Sequence, residues 1–202
     1  MRRHPGKSYG FRLQRIRPLV WLGLMLPGWS PAAVVTGMDE QTGLRSWEWR
    51  EAGASIRLVQ RLPDQTRAFF QARGFTTVEA DRIAGECVFQ TIFRNDGQHP
   101  LTYALDDWRI LHRGERSSLL TRERWDEIWR GSQAGKAARI ALHWSLLPTR
   151  QGFEPGDYNW GMSSFGLQPG SSFDLEIVLT LDRNTITRSI PGIECARDLQ
   201  EN

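Results

Sequence analysis

Several features that define common enzymes and metalloproteins are missing from this sequence of 202 residues. Its two cysteines are far apart in the chain, which excludes a CxxC redox motif and a local zinc knuckle. None of its serines lies in a GxSxG setting, and no HxH or HxxxH pair occurs. The sequence leaves enzymatic activity open, predicts no catalytic residues, and favours a non-catalytic role.

Acidic residues are absent from residues 1–32, which contain six basic residues. A short apolar core, 19–26, follows the basic part and is ended by Pro27 and Gly28. It is far shorter than the roughly 20 residues that a membrane-spanning helix needs. The pattern is typical of a signal peptide over 1–32, with cleavage after Ala32 or up to about residue 37. We therefore expect a periplasmic or secreted protein with no membrane span after cleavage; an uncleaved anchor is the alternative.

The positive charge of the chain comes from this leader. The full sequence has 26 basic and 23 acidic residues, a formal net charge of +3. Without residues 1–32, 20 basic and 23 acidic residues remain, which gives a net charge of about −3. Because binding to nucleic acid relies on positive charge against phosphates, the composition predicts no nucleic-acid partner.

Cys87 and Cys195 are the only cysteines. An even pair in an exported chain is typical of one structural disulfide. Closing so long a loop would stabilise the fold by roughly 4 to 5 kcal/mol in a chain-entropy treatment. Two buried free thiols, or a metal–thiolate site, are the alternatives.

Alternating apolar residues predict six or seven β-strands after residue 44. Short helices are predicted over 63–74, over 76–86 with Thr76 opening a capping box, and over 119–131 with Thr121 as N-cap. The fold class is therefore mainly β. We expect one antiparallel β-sandwich of immunoglobulin-like architecture, with two or three short helical insertions, closed by the disulfide over residues 38–202.

Most tryptophans lie at spacings that predict burial. The segment 137–148 alternates so clearly that it predicts a strand, with Ile140, Leu142, Trp144 and Leu146 on one side. The tryptophans expected in the core are Trp47, Trp49, Trp125, Trp129 and Trp144.

The stretch FEPGDYNWGM, 153–162, is the best candidate binding segment, and we expect it to be a loop. Pro155-Gly156 predicts a turn, which the side chains of Asp157 and Asn159 would fix by bonding to the backbone. The aromatic rings would either point outward to recognise a ligand or fold down to cap the sandwich, with Phe153 and Phe165 packing beneath. The candidate binding residues are Asp157, Tyr158, Asn159, Trp160 and Met162.

A copper site is an alternative interpretation, since imidazole and thioether groups suit copper in exported proteins. The candidate ligands are His99, His112, His143 and Met162, although no two of these histidines have ligand spacing. No other cofactor is predicted.

The sequence as a whole predicts an exported, non-catalytic binding or accessory module. Its expected partner is a protein, engaged through the aromatic segment or through an exposed sheet edge. The alternatives are a copper-handling protein and a carbohydrate-binding module, in which exposed aromatic rings would stack on sugars. The sequence does not predict the oligomeric state.

Overall fold

The computed structural model describes residues 33–199, so the signal peptide predicted over 1–32 lies outside the described residues. It contains two antiparallel sheets and four α-helices. Sheet 1 has the strand order β1-β2-β3-β4-β9. Its strands are β1 (Ala33–Met38), β2 (Arg45–Glu51), β3 (Ala54–Gln60), β4 (Val88–Asn95) and β9 (Tyr158–Ser164).

A tight turn at Ala52-Gly53 joins β2 to β3 in an antiparallel hairpin. Both turn residues have positive φ, and a Cβ on Gly53 would lie 2.4 Å from the Gly97 backbone. Only glycine therefore fits this close approach.

Sheet 2 is built around one long strand. β5 and β6 are separated by a short 3-10 helix (Leu105–Asp107) and both pair with the same edge of β10, while β11 pairs with its other edge. The strands are β5 (Leu101–Ala104), β6 (Arg109–His112), β7 (Glu115–Ser117), β8 (Arg150–Phe153), β10 (Ser172–Leu181) and β11 (Asn184–Glu194).

The inner faces of the two sheets share one hydrophobic core. Sheet 1 contributes Trp47, Trp49 and Phe93, all fully buried, and the central strand of sheet 2 contributes Leu175 and Ile177. The mainly β fold and the sandwich architecture are confirmed. The immunoglobulin-like arrangement specifically is not, since β1 to β4 run as a simple meander.

A helical layer covers one end of the outer face of sheet 1. Val88 and Met162, which lie on that face, belong to a second hydrophobic cluster with buried residues of the helices. Thr76 and Thr121 cap helices as predicted, because their side chains accept bonds from Glu79 N–H and Arg124 N–H. The helices are α1 (Pro63–Gln71), α2 (Thr77–Ala84), α3 (Arg122–Ile128) and α4 (Lys136–Ser145).

The strand predicted over 137–148 is wrong, because this segment forms α4. The alternation coincides with a second pattern, in which Ala138, Leu142 and Leu146 recur every four residues and are all buried. Alanines at three of the ten positions also favour a helix. Trp144, predicted to be buried, therefore lies on the solvent side with 77% of its surface exposed. The other four tryptophans predicted for the core are buried.

A disulfide joins Cys87 to Cys195, as predicted, with the two Cα atoms 5.4 Å apart. Cys87 immediately precedes β4 of sheet 1, and Cys195 immediately follows β11 of sheet 2. The bond therefore ties the two sheets together across the shared core. Within residues 33–199, no helix has the length and apolar character needed to cross a membrane.

Candidate functional site

The segment expected to be an aromatic loop forms a turn followed by strand β9. Asp157 fixes the turn, since its Oδ2 accepts a hydrogen bond of 2.9 Å from the Glu154 N–H. Asn159 behaves in the predicted way too, and its Oδ1 accepts from the Trp160 N–H at 2.8 Å. The turn residues thus behave as the sequence indicates, but the aromatic residues belong to the sheet.

The pleat of β9 divides the candidate residues between the two faces of sheet 1. Asn159 points to the inner face, where its Nδ2 donates to Gln151 Oε1 at 2.7 Å. Tyr158 and Trp160 point to the outer face and are 60% and 64% exposed. Met162 points the same way, but helices cover it and leave 4% of its surface accessible.

Phe153 and Phe165, expected to pack beneath the aromatic tip, are buried in the sandwich core. Phe153 stacks on Phe93, with ring centroids 4.8 Å apart. The two phenylalanines therefore stabilise the inner side of sheet 1, and Tyr158 and Trp160 lie on the opposite side.

The outer edge of β9 is partly closed by the chain that leaves α4. Leu147 N–H donates to Met162 C=O at 3.0 Å, and Leu146 forms a single parallel bridge with Met162. A Cβ on Gly161 would lie 2.8 Å from Leu147 N, so glycine is required where the two segments cross. This crossing holds β9 in place beside β4 while leaving Trp160 uncovered.

Strand register places Tyr158 and Trp160 in two rows that the helices do not cover. One row runs Glu48, Arg57, Ile92 and Trp160 across β2, β3, β4 and β9, and the other runs Arg50, Ser55, Arg94 and Tyr158. We call these eight residues the open face. Side chains in neighbouring positions on such rows lie about 5 Å apart at Cβ, so the aromatic and arginine groups are adjacent.

An arginine of the open face contacts one of its aromatic rings. The Arg94 guanidinium carbon lies 5.2 Å from the centroid of the Tyr158 ring, a cation–π contact. Glu48, the one acidic residue of the open face, pairs with Arg50 at 2.8 Å. Within residues 33–199, neither Arg57 nor Arg94 forms an ion pair with a carboxylate.

The residues suggested for copper lie on separate elements. The Nδ1 atoms lie 3.8 Å from the Asp182 carboxylate in His99, 2.7 Å from the Ser172 carbonyl in His112 and 4.0 Å from the Asp126 carboxylate in His143. Met162 is buried among apolar side chains. In the part of the chain that the structure describes, no three His, Cys, Asp or Glu side chains are grouped closely enough to hold a metal.

A concave surface lies on sheet 2, with a volume of about 520 Å³. Thr102, Thr180 and Thr185 line it together with Arg150, whose guanidinium pairs with Asp106 at 2.8 Å. Its lining is mostly short and polar, and its one arginine already has a counter-ion. The open face, in contrast, combines large exposed rings with Arg57 and Arg94, which form no ion pair with a carboxylate of residues 33–199.

Comparison with known proteins found no matching family, no matching curated protein and no matching solved structure. The open face must therefore be interpreted from its own chemistry. Sequence reasoning found Tyr158 and Trp160 but missed Arg57, Ile92 and Arg94. The alternation of β4 signals that Ile92 and Arg94 share a face, but only the register brings that face to β9.

Proposed function

We propose that this protein is exported and acts as a binding module that engages a protein partner through the open face of sheet 1. The observation that carries this proposal is the pair Tyr158 and Trp160, adjacent on one strand and 60% and 64% exposed. Tryptophan, tyrosine and arginine are the residues that contribute most binding energy in protein interfaces. All three occur together on this face.

The rigidity of the site supports recognition. Trp160 lies in a strand that pairs with β4 over seven residues, and the Leu146–Met162 bridge holds its other edge. A ring mounted on a sheet loses less conformational freedom on binding than a ring on a mobile loop. This position therefore suits an anchor residue.

The leader supports export, and the disulfide fits an oxidising compartment. Cleavage after Ala32 would leave β1 whole, whereas cleavage near residue 37 would remove most of that strand. We therefore favour cleavage after Ala32. The mass of the mature protein, recovered after expression with its own leader, measures the cleavage position directly.

Site-specific photo-cross-linking tests the proposed partner. A benzophenone amino acid replaces Trp160, or Tyr158 in a second variant, and the protein is produced with its leader in its natural host. We expect the same discrete protein adduct from both positions. Val78, exposed to 79% on α2, is the matched control position and should give no such adduct.

Adducts that form equally from Val78, or no adduct from either strand position, would contradict the proposal. Retention on immobilised polysaccharide that is lost in Trp160→Ala would instead favour the carbohydrate-binding alternative.

A further inference from the structure

The charge on the outer side of sheet 1 is opposite in sign to that of the domain. Residues 33–202 contain 20 basic and 23 acidic residues. The open face, in contrast, has Arg50, Arg57 and Arg94 against the single acid Glu48, which Arg50 already neutralises. Positive charge is therefore concentrated beside the aromatic rings.

Two further arginines lie beside Phe69 of the helical layer, one just after β3 and one just after α1. The guanidinium carbons of Arg61 and Arg73 lie 5.3 Å and 3.3 Å from the centroid of the Phe69 ring. Neither forms an ion pair with a carboxylate of the described residues, and Arg61 Nε is buried with no hydrogen-bond partner there. Burial, and then the charge of Arg73, lowers the pKa of the Arg61 guanidinium. Arg73 Nη1 donates to the Phe69 carbonyl at 2.9 Å, so both guanidinium groups are held against the helical layer without a neutralising carboxylate among the described residues.

We infer that the partner segment bound at the open face is acidic, with carboxylates that pair with Arg57 and Arg94 and an apolar side chain that packs on Trp160. This inference rests on the proposed function. Arg57 and Arg94 are diagonal neighbours on the face, about 7 Å apart at Cβ, a separation that carboxylates of one peptide can span. Charge-assisted bonds to guanidinium are among the stronger hydrogen bonds in proteins.

The shape of the site favours a polypeptide segment over a lipid surface. The helices pack on the same side of sheet 1 as Trp160. Since an α-helix with its side chains is about 10 to 12 Å in diameter, the helical layer rises above the sheet beside it. The floor that carries Ile92 and Trp160 is therefore recessed beside the helical layer. A peptide can lie in such a recess, whereas a flat bilayer would meet the helices first.

Selection from a random peptide library displayed on phage tests the inference. Wild-type protein should enrich peptides with an excess of Asp and Glu together with an apolar residue. The variant Arg57→Thr/Arg94→Thr should bind a synthetic enriched peptide about tenfold more weakly or worse, since two charge-assisted bonds are lost. Raising the salt concentration should weaken wild-type binding in the same direction.

The matched control removes two arginines from sheet 2. Arg113 and Arg183 lie in turns with positive φ, which asparagine tolerates, so Arg113→Asn/Arg183→Asn changes the net charge equally without strain. This control should bind the peptide as wild type does. An unchanged midpoint of urea unfolding for both double variants shows that each is folded.

The outcomes separate the inference from the proposed function. Enriched peptides without excess acid, whose binding is lost in Trp160→Ala, would overturn the inference and leave the proposed function standing. Peptides that bind Trp160→Ala as well as wild type, or no enrichment at all, would overturn the proposed function. Trp160-dependent binding to phosphatidylglycerol vesicles, with no peptide enriched, would replace both with a lipid ligand.

Discussion

The two faces of sheet 1 carry similar side chains in opposite surroundings. On the inner face, Trp49 and Phe93 are fully buried against sheet 2. On the open face, Trp160 and Tyr158 occupy neighbouring strand positions, yet most of their surface is exposed. Since folding is driven by removing apolar surface from water, the inner rings account for stability and the outer rings do not. The exposed rings are therefore available for binding.

The disulfide should have the largest effect, because it holds the two sheets together behind the inner face. Cys87→Ala/Cys195→Ala should lose roughly 4 to 5 kcal/mol of unfolding free energy, the value expected for so long a loop. Urea unfolding of the double variant and of wild type measures this loss. Reduction of the wild-type protein should lower the melting temperature in parallel, and an unchanged melt with both thiols alkylated in the folded protein would rule out the bond.

Replacement of a core tryptophan should have the second largest effect on the free energy of unfolding. Trp49→Ala removes a fully buried ring from the inner face and should cost about 3 to 5 kcal/mol. Chemical denaturation gives the value, with Trp160→Ala as the matched change on the other face. If Trp49→Ala and Trp160→Ala lost similar amounts of unfolding free energy, the two faces of sheet 1 would contribute equally to stability, contrary to this prediction.

Disturbing the crossing between β9 and the segment after α4 should have the third largest effect on the free energy of unfolding. Gly161→Ala places a Cβ 2.8 Å from Leu147 N, so the backbone must shift at a cost of about 1 to 3 kcal/mol. Gly156→Ala is not a clean comparison because its φ is positive, whereas Gly152→Ala meets only the Thr102 methyl group at 3.6 Å. The free energy of unfolding of Gly152→Ala should therefore stay near the wild-type value. A Gly161→Ala protein with the unfolding free energy of wild type would mean that β9 and the segment after α4 do not cross as described.

A smaller, pH-dependent effect is expected at Glu86, which precedes the disulfide. Burial raises the pKa of its carboxyl above the ordinary value of 4.5, and the charge of Arg82 offsets part of the shift. The folded protein then binds more protons than the unfolded chain between the ordinary and the raised pKa, so unfolding free energy falls as pH rises through that window.

Glu86→Gln should remove this fall and be slightly more stable than wild type at neutral pH. Unfolding measured across the acidic to neutral range checks it, with the exposed Glu115→Gln as control. A wild-type protein whose stability rises through the same window more steeply than that of Glu86→Gln would contradict the shift.

Local signals predicted the parts of the fold that depend on neighbouring residues. The capping box at Thr76, the N-cap at Thr121 and the turn fixed by Asp157 all follow from residues close in sequence. The disulfide followed from cysteine count and expected export. In α4, apolar residues satisfied a two-residue and a four-residue period together, so alternation alone gave the wrong element and placed Trp144 in the core.

The open face could not be predicted in full, because it depends on long-range pairing. β9 lies beside β4, some 70 residues earlier in the chain, as the Gln90–Met162 pair shows. Until that register is known, nothing links Arg57 and Arg94 to Trp160. The sequence identified the unusual aromatic residues, and the topology supplied their neighbours.

The most direct test of the account is the unfolding free energy of Tyr158→Ala/Trp160→Ala. Surface substitutions usually change stability by about 0.5 kcal/mol or less, so we predict a double variant within about 1 kcal/mol of wild type that no longer forms the partner complex. A loss above about 2 kcal/mol would contradict the account, because it would show that the two rings cap the fold.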